Sequence, residues 1–158
     1  MDMIRLATRE DLAGLLALYR ELRPHDPELS VAQADNALHE LLTNPDIFLI
    51  VVEENQQLIA SCMLGLIPTL TNGARPFAMI EHVITNSHCR GKGIGTRMLR
   101  FAIDLAWKRN CYKVMLLSGM QRVEAHRVYE KLGFRGDVEK GYALKPEWYL
   151  PVQPDNPN

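Results

Sequence analysis

The stretch Ile80-Glu81-His82-Val83-Ile84-Thr85-Asn86-Ser87-His88-Cys89-Arg90-Gly91-Lys92-Gly93-Ile94-Gly95-Thr96-Arg97 decides how the chain is read. It opens on an apolar, β-branched run that suits a pleated sheet. A turn follows, then glycines at every second position among basic and small residues. From Ile94 onward, Met98, Phe101, Ala102, Leu105 and Ala106 recur at helical spacing. The reading is a strand that feeds a helix N-terminus through a glycine loop. Such a terminus presents unpaired N–H groups and partial positive charge. Phosphates bind there. Gly91, Gly93 and Gly95 let an anion approach the backbone, and Arg90, Lys92 and Arg97 add charge. The physical expectation is a phosphate or pyrophosphate on backbone amides; the bland one is a strand-to-helix turn without a ligand. It is not a Walker A loop, because Gly91-Lys92 is followed by Gly93 rather than Ser or Thr. It is not the dinucleotide fingerprint, because the spacing is G-x-G-x-G and Lys113 stands where an acid would be needed.

Outward from this stretch, the chain alternates strand and helix signals. Ile4 to Ala7 reads as a short strand. Thr8 with Asp11 resembles a capping box ahead of a helix with Leu12, Leu15, Leu16, Tyr19 and Leu22 on one face. Ser30 with Gln33 makes a second box, before a helix to about Leu42 with Val31, Ala34, Leu38 and Leu41 inward. Ile47 to Val52 and Leu58 to Ile67 flank the polar turn Glu54-Asn55-Gln56-Gln57, which predicts a hairpin. Pro68 to Pro76 is a loop, Phe77 to Thr85 a strand and Val114 to Leu117 another. Glu124 to Leu132 is a helix that Gly133 closes. Phe134-Arg135 and Tyr142 to Leu144 are expected as two final strands. Alternation along Phe77–Thr85 places Ile80, His82 and Ile84 on one face and Met79, Glu81 and Val83 on the other. The order implies one α/β domain over residues 1–150 with a mixed sheet. The Pro-, Asp- and Asn-rich end, 151–158, is expected to be a disordered tail.

Composition narrows the class. The chain has 158 residues, 47% hydrophobic and 23% charged, with a net charge of -1. A near-neutral balance gives no argument for nucleic acid or a membrane surface as partner. Cys62, Cys89 and Cys111 form no CxxC pair and no disulfide framework. Together with a start that has no signal-peptide pattern, they are expected to be reduced thiols in a cytoplasmic protein. His82, His88 and Cys89 have no zinc-type spacing, so no metal site is expected.

Arg90-x-x-Gly93-x-Gly95 resembles the Q/R-x-x-G-x-G/A motif of the Gcn5-related N-acetyltransferase (GNAT) family. Val128-Tyr129-Glu130-Lys131-Leu132-Gly133-Phe134 resembles the Y-E-K-x-G-F signature of the same family. The two lie in the family's order and separation, and the resemblance runs from Ile4 to about Trp148. It implies a mixed, mostly antiparallel sheet flanked by helices, with a splayed parallel strand pair. It implies acetyl-CoA as co-substrate and no metal. The pyrophosphate would rest on Arg90, Gly91, Lys92, Gly93, Ile94, Gly95 and Thr96. The pantetheine arm would pair with Val83, Ile84 and Thr85, much as a peptide adds to a strand. The reaction implied is direct attack of a primary amine on the thioester.

Two proton tasks follow from that reaction. A lysine-like amine has a pKa of about 10.4 and must lose a proton to attack. The departing thiolate is helped by an acid, and Tyr129 matches the tyrosine that many members use for this. Otherwise Tyr129 is a packed tyrosine with a satisfied hydroxyl. Glu81, a carboxylate in an apolar strand, is a candidate base, directly or through water, or else a hydrogen-bonded structural acid. His82 is either a base or substrate contact, or simply packed. Arg122 stands where many members have an asparagine that touches the pantetheine arm, and it faces either the phosphates or solvent. The cysteines are structural on this reading.

The acceptor is less legible. Features around Cys89 and Asn110 resemble glucosamine-phosphate N-acetyltransferases, and Ala125-His126-Arg127 resembles aminoalkylphosphonate acetyltransferases. The acceptor pocket is expected between the first two helices, the Pro68–Pro76 loop and the end of the Phe77–Thr85 strand. Arg23, His25 and Arg75 are either anion contacts or solvated charge. A small-molecule amine is the first expectation. A protein or peptide acceptor, a non-catalytic acyl-CoA sensor and a nucleotide-dependent enzyme are the alternatives. Family members often dimerise, and Tyr142 to Trp148 is placed to supply an edge strand.

Overall fold

The computed structural model describes residues 2–149, so the expected 151–158 tail lies outside the described residues. Five strands form one sheet in the order β1-β2-β3-β4-β5: Met3–Leu6, Ile47–Glu54, Gln57–Ile67, Phe77–Thr85 and Val114–Leu116. The first four are antiparallel to their neighbours. β5 runs parallel to β4 over three pairs only, from Ala78↔Val114 to Ile80↔Leu116. Beyond Ile80, β4 continues to Thr85 without that partner, so the two strands separate there.

Helices cover both faces. Leu15 of α1 (Leu12–Leu22) and Leu38 of α2 (Val31–Thr43) pack with Leu49 and Val51 of β2. Met98, Leu99, Ala102 and Ala106 of α3 (Ile94–Lys108) pack on the opposite face with Ile50 and Val52. Tyr129 of α4 (Val123–Lys131) joins this second cluster. β2 reads as an unbroken apolar run because it is buried on both sides.

Local chemistry explains the boundaries. The Thr8 N–H donates to Asp11 Oδ2 at 2.7 Å, and Ser30 and Gln33 exchange the two bonds of a capping box. Asn55 and Gln56 take positive φ in the hairpin turn, as a twisted two-residue connection requires. The Gly133 N–H donates to the Glu130 carbonyl and closes α4.

Three expectations fail. Val31 is 85% exposed rather than inward, because it occupies the first turn of α2, ahead of the buried Ala34 and Leu38. Phe134-Arg135 and Tyr142 to Leu144 form no strands. β5 ends at Leu116 and the chain then turns toward α4, so no long row of backbone groups is left for a ladder. Segment 139–141 meets the residues that flank β5 instead: Glu139 pairs with Lys113 just before the strand at 3.1 Å, and Gly141 sits against the Leu117 side chain just after it. The third failure is the regular alternation of β4. Glu81 lies opposite Met63 and Ile84 opposite Ser61, so three steps along β4 match two along β3. The extra residue is a β-bulge, and His82 within it has φ +53°. Cross-strand partners share a face, so Ile80 (opposite Leu64) and Thr85 (opposite Ala60) lie together. Glu81 and Ile84 lie on the other face.

Candidate active site

The glycine loop is built as a helix start. A short 3₁₀ turn, Ser87–Cys89, precedes it, with Asn86 Oδ1 accepting from the His88 N–H. Gly93 caps α3 in the left-handed region at φ +73°, which side chains other than glycine adopt at a cost. The first bond across the junction runs from the Arg97 N–H to the Gly93 carbonyl at 3.1 Å. The amides of Ile94, Gly95 and Thr96 are therefore the orphan donors of the terminus. A Cβ on Gly95 would sit 3.4 Å from Thr85 Oγ1, so the helix start lies hard against the end of β4.

Two of the basic side chains expected to face an anion are engaged in holding the loop. Arg90 Nε donates to the Thr85 carbonyl at 3.0 Å, and its Nη2 meets Glu21 Oε1 at 3.1 Å. The same Glu21 oxygen accepts from the Ser87 N–H at 2.8 Å. Arg97 donates to the Lys92 carbonyl and pairs with Asp2. Lys92 makes no such bond among the described residues. Glu21, a brace on α1, is a site-forming residue that the sequence did not disclose.

An open pocket of about 210 Å³ lies where β4 and β5 part. The end of α1 supplies Leu22 and Arg23, and β4 supplies Ile80 to Val83. The end of β5 adds Leu116 and Leu117, and α4 adds Arg122 and Tyr129. Glu81 and Tyr129, 48 positions apart by their numbering, thus line one pocket. Tyr129 is 8% exposed, and its ring meets Phe134 edge-on at 6.1 Å. Burial pushes its phenol above the ordinary value of 10.0, against downward pulls from the Arg122 charge and the Ser118 hydroxyl; Glu81 adds to the rise. The phenol is therefore protonated at neutral pH. Glu81 is half-buried and has no ion-pair partner among the described residues. His82 is exposed, with Tyr19 edge-on at 6.1 Å.

Neither the Pro68–Pro76 loop nor α2 lines this pocket, contrary to expectation. The loop joins β3 to the start of β4, whereas the pocket opens at the bulge in that strand's second half. Arg75 donates to the carbonyls of Asn110 and Cys111, at 3.2 and 2.9 Å, and holds the loop to the turn before β5. All three cysteines are free. Burial pushes the Cys62 thiol up to about 12 and raises that of Cys111. Both are packed thiols. No group of three metal-ligating side chains occurs among the described residues, and none of their helices is long and apolar enough to cross a membrane.

A family model for the acetyltransferase (GNAT) family matches residues 7–134. The chain belongs to the GNAT family. Membership makes it an N-acetyltransferase and accounts for the splayed strand pair and the amide-rich loop. It is 32% identical over 135 residues to the uncharacterized N-acetyltransferase YhdJ of Bacillus subtilis, covering 85% of this chain and 92% of the relative. It is 27% identical to a glucosamine 6-phosphate N-acetyltransferase of Trypanosoma brucei, covering 84% and 88%. A solved chain from Agrobacterium tumefaciens that carries an acetyltransferase name superposes with a TM-score of 0.86 at 40% identity, covering 90% of this chain and 99% of that one. A Clostridium acetobutylicum chain solved with acetyl-CoA gives 0.73 at 28% identity, covering 92% and 96%.

Proposed function

We propose that this GNAT member transfers the acetyl group of acetyl-CoA to the primary amine of a small molecule by direct attack. The observation that carries this is the convergence of Glu81 and Tyr129 on one pocket. The pyrophosphate would rest on Arg90 to Thr96, chiefly on the orphan amides of Ile94, Gly95 and Thr96. The pantetheine would run along Val83, Ile84 and Thr85, where β4 has no β5 partner.

The chemistry then balances with residues in reach. The amine nitrogen forms a bond to the thioester carbonyl carbon and gives up a proton to Glu81, directly or through water. The C–S bond breaks, and Tyr129 gives its phenolic proton to the departing sulfur. Solvent restores the proton to Tyr129 and removes the one from Glu81. A phenol kept protonated by burial suits the acid role. The relative that carries a glucosamine 6-phosphate name supports a small-molecule acceptor. The free thiols fit a cytoplasmic setting.

The test is thiol release from acetyl-CoA against amino sugars, their phosphates, aminophosphonates, polyamines, amino acids and peptides. Turnover on at least one small amine is expected. Tyr129→Phe should lose about 10²- to 10³-fold in kcat with little change in melting temperature. Full activity in Tyr129→Phe, or turnover on a protein alone, overturns the assignment.

A further inference from the structure

The pocket carries more positive charge than acetyl transfer to a plain amine needs. Of the three basic residues weighed for an anion, Arg23 lines it, Arg75 is bonded to two carbonyls elsewhere, and His25 is not among the lining residues. Arg122, the residue that stands where the family has an asparagine, adds a second guanidinium to the same pocket. It stands at the N-cap of α4, and its charge reaches the Tyr129 hydroxyl. Its side chain has no hydrogen bond and no carboxylate partner among the described residues. Arg23 is shared only with exposed Asp26, at 2.7 Å. None of residues 90–96 lines this pocket, so Arg122 stands with Glu81 and Tyr129 and away from the pyrophosphate loop. Glu81, on the β4 wall, is the pocket's carboxylate.

Charge of both signs within one small pocket is selective for a ligand that also carries both. A guanidinium presents a planar fork of donors that matches an oxyanion in two bonds. We propose that the acceptor is an amine that also bears an anionic group, a phosphate, phosphonate or carboxylate. Arg122 binds the anion with help from Arg23, and Glu81 faces the ammonium. Arg122 is thereby a specificity-determining residue. This rests on the acetyltransferase reading above and narrows its substrate.

The experiment compares matched probes: glucosamine 6-phosphate against glucosamine, 2-aminoethylphosphonate against ethylamine, and β-alanine against propylamine. Thiol release is measured for the wild type, Arg122→Gln, Arg122→Lys and Arg23→Gln. The wild type should favour the anionic member of at least one pair. Arg122→Gln should raise KM for that member roughly 10- to 100-fold, while KM for its neutral twin and for acetyl-CoA stay level. Arg122→Lys should recover part of the preference. The pair that responds tells a phosphate or phosphonate from a carboxylate. Preference for neutral amines, or an equal loss on both members of each pair, overturns the proposal. Calorimetric titration of the same probes into the CoA-loaded protein separates the two readings. Arg122-dependent binding without turnover would sink acetyl transfer and leave the anion site standing. Absence of preferential binding of every anionic probe would sink the anion site alone.

Discussion

Glu21 on α1 holds the glycine loop from 66 positions away: one oxygen, Oε1, accepts from the Ser87 N–H at 2.8 Å and from Arg90 Nη2 at 3.1 Å. The glycine loop and α1 are thereby fastened to each other. The ion pair is partly exposed and contributes little to stability on its own. Its role is positional. Glu21→Gln should raise KM for acetyl-CoA about 3- to 10-fold with kcat nearly constant, and shift the melting temperature by less than about 2 °C. Steady-state kinetics and a thermal melt check both halves.

Gly93 makes the turn into α3 at φ +73°. Gly93→Ala puts a side chain in the left-handed region at a cost of about 1–2 kcal/mol. The strain falls on the amides proposed to hold pyrophosphate. Stabilisation of the protein by added CoA should shrink in this variant, read as a smaller ligand-induced rise in melting temperature. An unchanged rise would place the pyrophosphate elsewhere.

Cys62 shapes the alkaline limit. Its thiol is neutral when folded and is raised from its ordinary 9.0 to about 12. Between those values the native state holds more protons than the unfolded chain, so stability falls as pH rises through that window. Tyr19, Tyr129 and Cys111 are raised as well and act in the same direction. Cys62→Val should flatten the loss of melting temperature above pH 9. In the native wild type, iodoacetamide should label half-exposed Cys89 well ahead of Cys62 and Cys111.

Asp11 shapes the acid limit. The Arg5 guanidinium, through bonds at 2.7 and 2.8 Å, holds its carboxyl below the ordinary 3.8, and the Thr8 N–H adds to this. A depressed carboxylate contributes stability above its unfolded pKa and loses it as pH falls below about 4. Asp11 is buried and Arg5 only partly so. Arg5→Gln should cost about 2 kcal/mol at neutral pH and move the acid-unfolding midpoint upward. Denaturant titrations at pH 7 and pH 3 check the sign.

Much of the layout was legible from local signals. The bounds of β4 were legible because a largely apolar run lies between a proline-ended loop and a turn. The start of α3 was legible because Gly93 and Ile94 mark a cap and a first buried position. What escaped involves distant partners. The bulge at His82 leaves no mark in the sequence of the strand; it is defined by β3 across from it. Glu21 reads as a solvated helix acid until the fold brings Ser87 to it. The two expected final strands are short, strand formation needs a neighbouring row of backbone groups, and β5 is three residues long. Arg122 was visible as a departure from a motif, but only α4 shows which wall it joins.

The bulge carries a last consequence. One surplus residue in β4 works as a phase shifter: positions before it and positions after it present their side chains out of step. Glu81 can therefore look toward α1 while Thr85, four residues later, looks toward α3. Deleting His82 would leave Ile84 and Thr85 opposite Ser61 and Ala60 as before, so Thr85 would still meet Gly95, and it would remove the left-handed residue that bends the strand beside Glu81. A strand trimmed of that one residue would keep its sheet, its faces and its loop, yet lose the local bend that sets the acid on the strand relative to the helix that follows it.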